Sequence, residues 1–282
     1  KGQLGLDLAT ASTSPLSAVL VEGEGSVAGL ALGHDHTILR RADGSVRCFG
    51  NNDSDQCSPP PGLKNGAVHV AAGPKNSACV TSGGLAFVWG CAKYSQSSPE
   101  PFSHSTASSL FTKVCCGLRH TLLLDDKGKV WGCGDNRHGQ LCSDKKTVTA
   151  LTEIQFEDDI EIVHIESGWS HNLAVTSDGT VFGWGRNDKG QLGLGHKLPV
   201  KSPTRLFEKF KGKIKSVACG PETSNVMDES GQAWGCGWNE HGNLGVGDCE
   251  DRCELAEMKV SGSLLRDGVS LLAVGGAHVL LK

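Results

Sequence analysis

The stretch "SGWSHNLAVTSDGTVFGWGRNDKGQLGLG" spans Ser167–Gly195, and nothing in it has helical spacing. "IEIVHIES" before Gly168, "HNLAVT" after it and "TVFGWG" after Asp178-Gly179 are short runs of β-branched, aromatic and apolar residues bounded by turn residues. That is the pattern of three strands. The Asp-Gly pair supplies the positive φ that a tight hairpin requires.

The stretch is one copy of a repeat. Laid over "CGLRHTLLLDDKGKVWGCGDNRHGQLCSD", it places Gly168 on Gly117, His171 on His120, Gly179 on Gly128, Gly185 on Gly134 and Gln191 on Gln140, an offset of 51 throughout. The frame moved 52 residues forward meets "CGPETSNVMDESGQAWGCGWNEHGNLGVG", with Gly220, Gly231, Gly237, Asn239 and Gly242 in register. Two weaker copies are anchored at Gly33 and Gly73. "VGGAHVLLK" opens a sixth copy with His278, and "KGQLGL" at Lys1 finishes one. Repeated meanders of this kind, stacked radially so that each sheet buries its faces on its neighbours, make a β-propeller. An all-β propeller over 1–282 is expected as a single domain, with the two chain ends sharing a blade. The length alone is equally compatible with about two average domains.

Composition excludes other classes. No apolar run approaches the ~20 residues of a membrane helix, and Lys1–Thr10 has no signal-peptide core, so the chain reads as soluble. A net charge of −4 gives no pull toward nucleic acid. Of the twelve cysteines, Cys115, Cys116 and Cys219 end apolar runs, and Cys48, Cys133 and Cys236 lie inside others. Those are core positions for a small hydrophobe. Cys249 and Cys253 lack the second close pair a structural zinc site uses. A reduced cytoplasmic or nuclear setting is expected, with no metal and no cofactor.

The order G-x-x-H, strand, D-G, strand, W-G-x-N-x-x-G-Q-L-G resembles the regulator of chromosome condensation repeat. It is carried by Gly168, His171, Asp178, Gly179, Trp184, Gly185, Asn187, Gly190, Gln191, Leu192 and Gly193. The likeness covers essentially the whole chain, but propellers of that family have seven blades and six anchors appear here. Within the family, "GWNEHGNLGVGD" from Gly237 looks most like the secretion-regulating guanine nucleotide exchange factor branch. It is also similar to a yeast propeller that assists diphthamide synthesis and the Elongator pathway.

Residues that recur at one position across copies read as architecture. His36, His120, His171 and His278 are structural imidazoles; Asn136, Asn187 and Asn239 make local turns; Trp131, Trp184 and Trp234 pack between blades. Function is expected where the copies differ. Strand parity puts the G-x-x-H turns and the N-x-x-G-Q-L-G loops on one face, where the variable residues are His34, Asp35, Pro74, Lys75, Leu118, Arg119, Trp169, Ser170, Pro221, Glu222 and Ala277. The partner-binding set is therefore His34, Asp35, Lys75, Arg119, Trp169, Ser170 and Glu222, with Trp169 the foremost anchor.

The resemblance also bears on nucleotide exchange, which in the family's founding member depends on an Asp and a His on this face. Asp35 matches the first. Lys75, Arg119, Ser170, Glu222 and Ala277 stand where the second could be, so it is absent. There is no P-loop, G-x-S-x-G or H-E-x-x-H, and no catalytic residue is assigned. Lys197–Lys215 carries seven basic residues against Glu208, and Glu153–Glu161 carries five acids, a rim able to steer a charged partner. Two readings result. In one, a monomeric, non-catalytic adaptor propeller enters a hetero-complex with a protein partner, as the likeness to the diphthamide and Elongator propeller implies; that partner would be a small zinc-binding metalloprotein. In the other, the propeller is an exchange factor for a small GTPase.

Overall fold

The computed structural model describes residues 26–64, 66–93, 100–103, 109–157, 160–208, 210–259, 272–276 and 278–281. The expected sharing of a blade between Lys1–Leu6 and the C-terminus falls outside the described residues, as do Ala277, Asp158, Asp159 and Lys209.

Among the described residues every element is a strand. β1 (Val27–Leu32), β2 (His36–Arg41) and β3 (Val46–Gly50) form one antiparallel sheet; β4 (Ala67–Ala72), β5 (Asn76–Thr81) and β6 (Ala86–Gly90) form the next. β7 (Phe111–Cys116), β8 (His120–Asp125), β9 (Val130–Asp135) and β10 (Thr147–Ile154) make a four-stranded sheet. So do β11 (Ile162–Ser167), β12 (His171–Thr176), β13 (Val181–Gly185) and β14 (Val200–Arg205). β15 (Ile214–Cys219), β16 (Thr223–Asp228), β17 (Ala233–Gly237) and β18 (Arg252–Glu257) repeat the order, and β19 (Leu272–Val274) pairs with β20 (Val279–Leu281). Each sheet is the up-and-down meander expected from the sequence.

The chain forms two compact units, Lys1–Gly134 with Val148–Thr152, and Asp135–Thr147 with Glu153–Lys282. In the first, Ile38, Val70, Phe87 and Trp89 cluster between the first two sheets, and Val80, Val88, Val114 and Leu123 between the second and third. In the second, Leu173, Leu192, Leu206, Val217 and Val226 share one core. The innermost strand of each of the first five sheets starts with the same register shift, between Val27/Gly29, Ala67/His69, Phe111/Lys113, Ile162/His164 and Ile214/Ser216. An extra residue reverses the inward-outward alternation. It thereby buries both Ile162 and Ile165, three apart, at 2% and 3% exposure.

The hairpins follow the expected chemistry. Gly44, Gly84, Gly128, Gly179 and Gly231 have φ between 74 and 85, the region a side chain disfavours. A side-chain oxygen closes each of four of these turns from one of two places. Asp43 and Asp178 accept the amides of Ser45 and Thr180 from within the turn, whereas Asp125 and Asp228 accept from Lys129 and Gln232 from the preceding strand end.

Hydrogen bonds from the Thr176 hydroxyl and then the Thr180 amide hold the Asp178 carboxyl at about 2. A carboxyl lowered by folding stabilises the native state above its unfolded pKa, near 4, and loses that contribution as pH falls toward the folded value. Thr176→Val is expected to raise the Asp178 pKa toward 4 in a carboxyl NMR titration. It should also flatten the loss of stability between about pH 4 and 2 in urea melts.

Candidate protein-docking face

The G-x-x-H segment is one closed turn built six times. Gly33, Gly73, Gly117, Gly168, Gly220 and Gly275 each donate their amide to the carbonyl of the residue three further on, at 2.9–3.0 Å. At Gly168 a side chain has no room, because a Cβ would strike the His171 ring and lie 2.6 Å from the Gly220 carbonyl oxygen. The neighbouring repeat is that close.

The histidines then reach across to the next repeat. His36 Nε2 lies 2.9 Å from Ser77 Oγ and His171 Nε2 lies 3.1 Å from Ser224 Oγ. Both hydroxyls donate to a backbone carbonyl, Ser77 to Gln56 at 2.7 Å and Ser224 to Gln191 at 2.6 Å. Each hydroxyl has one proton, so each imidazole is the donor, in its Nε2–H form. Burial holds His36 below its ordinary pKa. These rings are buried struts between repeats, as their recurrence suggested.

Glutamine carbonyls also receive indole donors. Trp89 Nε1 donates to Gln56 O and Trp184 Nε1 to Gln140 O, both at 2.9 Å, and Asn172 Nδ2 joins Trp184 on Gln140 O at 2.8 Å. Trp131 and Trp234 occupy a different position, two residues earlier in the third strand. Trp131 donates to Asp125 Oδ2 of its own hairpin at 3.0 Å, and Trp234 meets the Phe210 ring. One aromatic label in the sequence therefore covers two roles.

The asparagine loops are built alike. Asn187 Oδ1 accepts from Leu192 N at 2.9 Å while its amide donates to His196 O and Leu198 O. Asn136 and Asn239 do the same with Leu141 and Leu244. Gln140 and Gln191 fold back on His138 N and Lys189 N, which fixes the carbonyls that the next repeat uses.

On this scaffold the variable residues separate into two kinds. The carbonyls of Asp35, Lys75, Ser170 and Glu222 accept the amides of Asn51, Cys91, Arg186 and Trp238, tying turn to loop in four repeats. In the first unit the side chains of His34 and Asp35 pair with each other at 3.2 Å, Lys75 is exposed and Arg119 is half-buried. In the second unit Ser170 is 7% exposed, so its hydroxyl offers no surface. Glu222 accepts from Arg186 Nη1 at 2.7 Å, and Arg186 Nη2 also grips Asp188 at 2.6 Å. Trp169 is 37% exposed, its amide anchored to Pro221 O at 2.9 Å. Trp238 follows on the far side of the Pro221–Glu222 turn, half-buried with its ring edge-on to His241.

Arg186 and Trp238 went unmarked in the sequence. They stand at the position after W-G or C-G, which is Asn51, Cys91 and Asp135 in the other copies, so the same test of variation would have found them. The basic connection is partly used internally, since Lys197 pairs with Asp251 and Lys213 with Glu229.

The twelve cysteines are free thiols. Burial pushes Cys133 and Cys236 up to about 12, which suits inert core positions. No group of three or more metal-ligating side chains occurs among the described residues, Cys249 and Cys253 included. No helix among them is long and apolar enough to cross a membrane.

The family model for the RCC1-like domain matches residues 58–281, and that for the regulator of chromosome condensation (RCC1) repeat matches 27–56. The chain belongs to the RCC1-repeat propeller family, and its fold is that all-β propeller. It is 30% identical over 247 residues to the ultraviolet-B receptor UVR8 of Arabidopsis thaliana, covering 79% of this chain and 56% of that one. It is 31% identical over 268 residues to the secretion-regulating guanine nucleotide exchange factor of Mus musculus, covering 77% and 56%. The chain thus spans about half the length of these relatives. Among solved structures, human WBSCR16 superposes with a TM-score of 0.80 at 21% identity over 92% of this chain and 74% of that one. Yeast RCC1 (Prp20) bound to Kap60 gives 0.61 at 19%, over 90% and 79%.

Gly168→Ala is expected to destabilise the chain by roughly 2 kcal/mol or more in denaturant melts, since the Gly220 carbonyl is backbone and cannot rotate away. Trp184→Phe should cost about 1–3 kcal/mol, combining lost volume with a buried carbonyl short of one donor.

Proposed function

We propose that the chain is a non-catalytic adaptor or regulatory propeller that holds a protein partner on the turn-and-loop surface of its second unit. The supporting observation is Trp169, a large ring kept one-third exposed on a turn whose backbone is hydrogen-bonded on both sides. Aromatic and arginine side chains at rigid positions are the usual energetic centres of interfaces. Arg186 is tied to that turn through Ser170 O and Trp238 to the adjoining Pro221–Glu222 turn, and the Arg186–Glu222–Asp188 pairs give the surface a charge pattern that can select a partner.

The finer reading is that the partner is a small metalloprotein serving diphthamide or tRNA modification, in the cytoplasm or nucleus. It draws on the likeness of "GWNEHGNLGVGD" to the accessory propeller of those pathways, and twelve free thiols suit such a compartment. A second reading, exchange on a small GTPase, is favoured by the identity to the mouse secretion-regulating exchange factor and by Asp35. Its weakness is the missing histidine, for which Lys75, Arg119, Ser170 and Glu222 offer no imidazole.

Affinity purification of the intact protein followed by mass spectrometry separates the readings. Trp169→Ala is expected to weaken a specific companion at least tenfold, the scale of an interface hot spot, while leaving the thermal midpoint within a few degrees. An unchanged companion list would exclude this surface. Acceleration of nucleotide release from a GTPase, lost in Asp35→Ala, would replace the adaptor reading with the second.

A further inference from the structure

The second unit contains a cavity of about 510 Å³ between the connection that follows β14 and strands β17 and β18. Its size is that of a small-ligand site. The walls are unusual in combining Phe207, Phe210 and Trp234 with the carboxylates of Glu208, Asp228 and Glu254.

Two neighbouring interfaces are filled differently. One repeat earlier, Phe156 meets both Phe182 and Trp184 edge-on, at 5.4 and 5.8 Å, and a smaller space of about 230 Å³ lies beside Phe182. Here Phe210 meets Trp234, which stands where Phe182 does, at 5.2 Å and 77°. Cys236 stands in the place of Trp184, so the third ring is lost from the strand. Phe207 supplies one from the connection, with φ of 58, a left-handed backbone that a bulky residue adopts only at a cost.

Charge narrows the occupant. Arg205 also lines the cavity, but its guanidinium lies over the Phe182 ring at 5.5 Å, and Lys211 is the other cation. Asp228 is the buried carboxylate. Its Oδ1 accepts from the Ser230 and Gln232 amides, while Oδ2 faces Gly212 on the cavity wall. Burial pushes Asp228 upward, but the hydrogen bonds from Ser230 and Gln232 outweigh it and hold it below the usual carboxylate range. Ring faces carry negative charge density and attract cations, more strongly when partly desolvated. A neutral ligand would instead displace water from the carboxylate without supplying a counter-charge.

We propose that this cavity binds a small alkylammonium ion, its cationic head against Phe210 and Trp234 and its charge balanced by Asp228. The same head is borne by free choline-type molecules and by a methylated lysine side chain.

The test is calorimetric titration of the intact protein with choline, with Nε-trimethyllysine amide, and with 3,3-dimethylbutan-1-ol, the uncharged isostere of choline. At least one ammonium probe is expected to bind ten times more tightly than the alcohol, and the tighter of the two identifies the source. Asp228→Asn keeps Oδ1 for the hairpin and removes the charge, and should weaken the ammonium at least fivefold while leaving the alcohol unaffected. Phe210→Leu should weaken it similarly. Equal affinity for alcohol and ammonium, no binding by about 10 mM, or an unaltered affinity in a folded Asp228→Asn would overturn the proposal.

Discussion

A backbone carbonyl joins one repeat to the next at three places among the described residues. The oxygens of Gln56, Gln140 and Gln191 take hydrogen bonds from the following repeat, from a hydroxyl or amide on its second strand and from an indole or thiol on its third. Each bond adds only about 1 kcal/mol net, yet leaving such a carbonyl buried and unmet would cost more. A carbonyl can do this only if its loop is held still. The asparagine and glutamine side chains of that loop serve this purpose, turning inward to close it rather than outward to meet solvent or ligand.

From this follows the distribution of freedom along the chain. Residues that complete the joint cannot vary without loss, because their partners are buried and come from another repeat. Residues between them can. At Ser170 the side chain is nevertheless buried, and at Glu222 it is drawn into a pair with Arg186, while neighbouring Trp169 is turned out. Variation in sequence is therefore necessary for a binding role, and exposure decides which variable residues can have one.

Variation at a joint has a different result. Where Trp184 gives way to Cys236, the joint persists through a weaker thiol contact of 3.6 Å to Gln191 O. The lost volume is not recovered from within the strand. Phe207 moves into it from outside, in a strained backbone conformation, and an open space bounded by rings and carboxylates remains.

Spacing alone determined the repeat, the strand order and the hairpin glycines, because a two-residue turn with positive φ and a fixed period of about fifty residues leave few alternatives. The structural role of His36 and His171 was also legible, since an imidazole that returns at one position in four copies is architecture. What spacing could not reveal was the partner of each side chain. Trp131 and Trp184 look alike in sequence, but one indole turns to its own hairpin and the other to the preceding repeat. The pairing of Arg186 with Glu222 joins residues 36 apart, and the Phe207 cavity depends on a connection with no repeat signature. Those features were decided by tertiary structure, because distance across a joint, unlike period along a chain, is set only when neighbouring sheets pack.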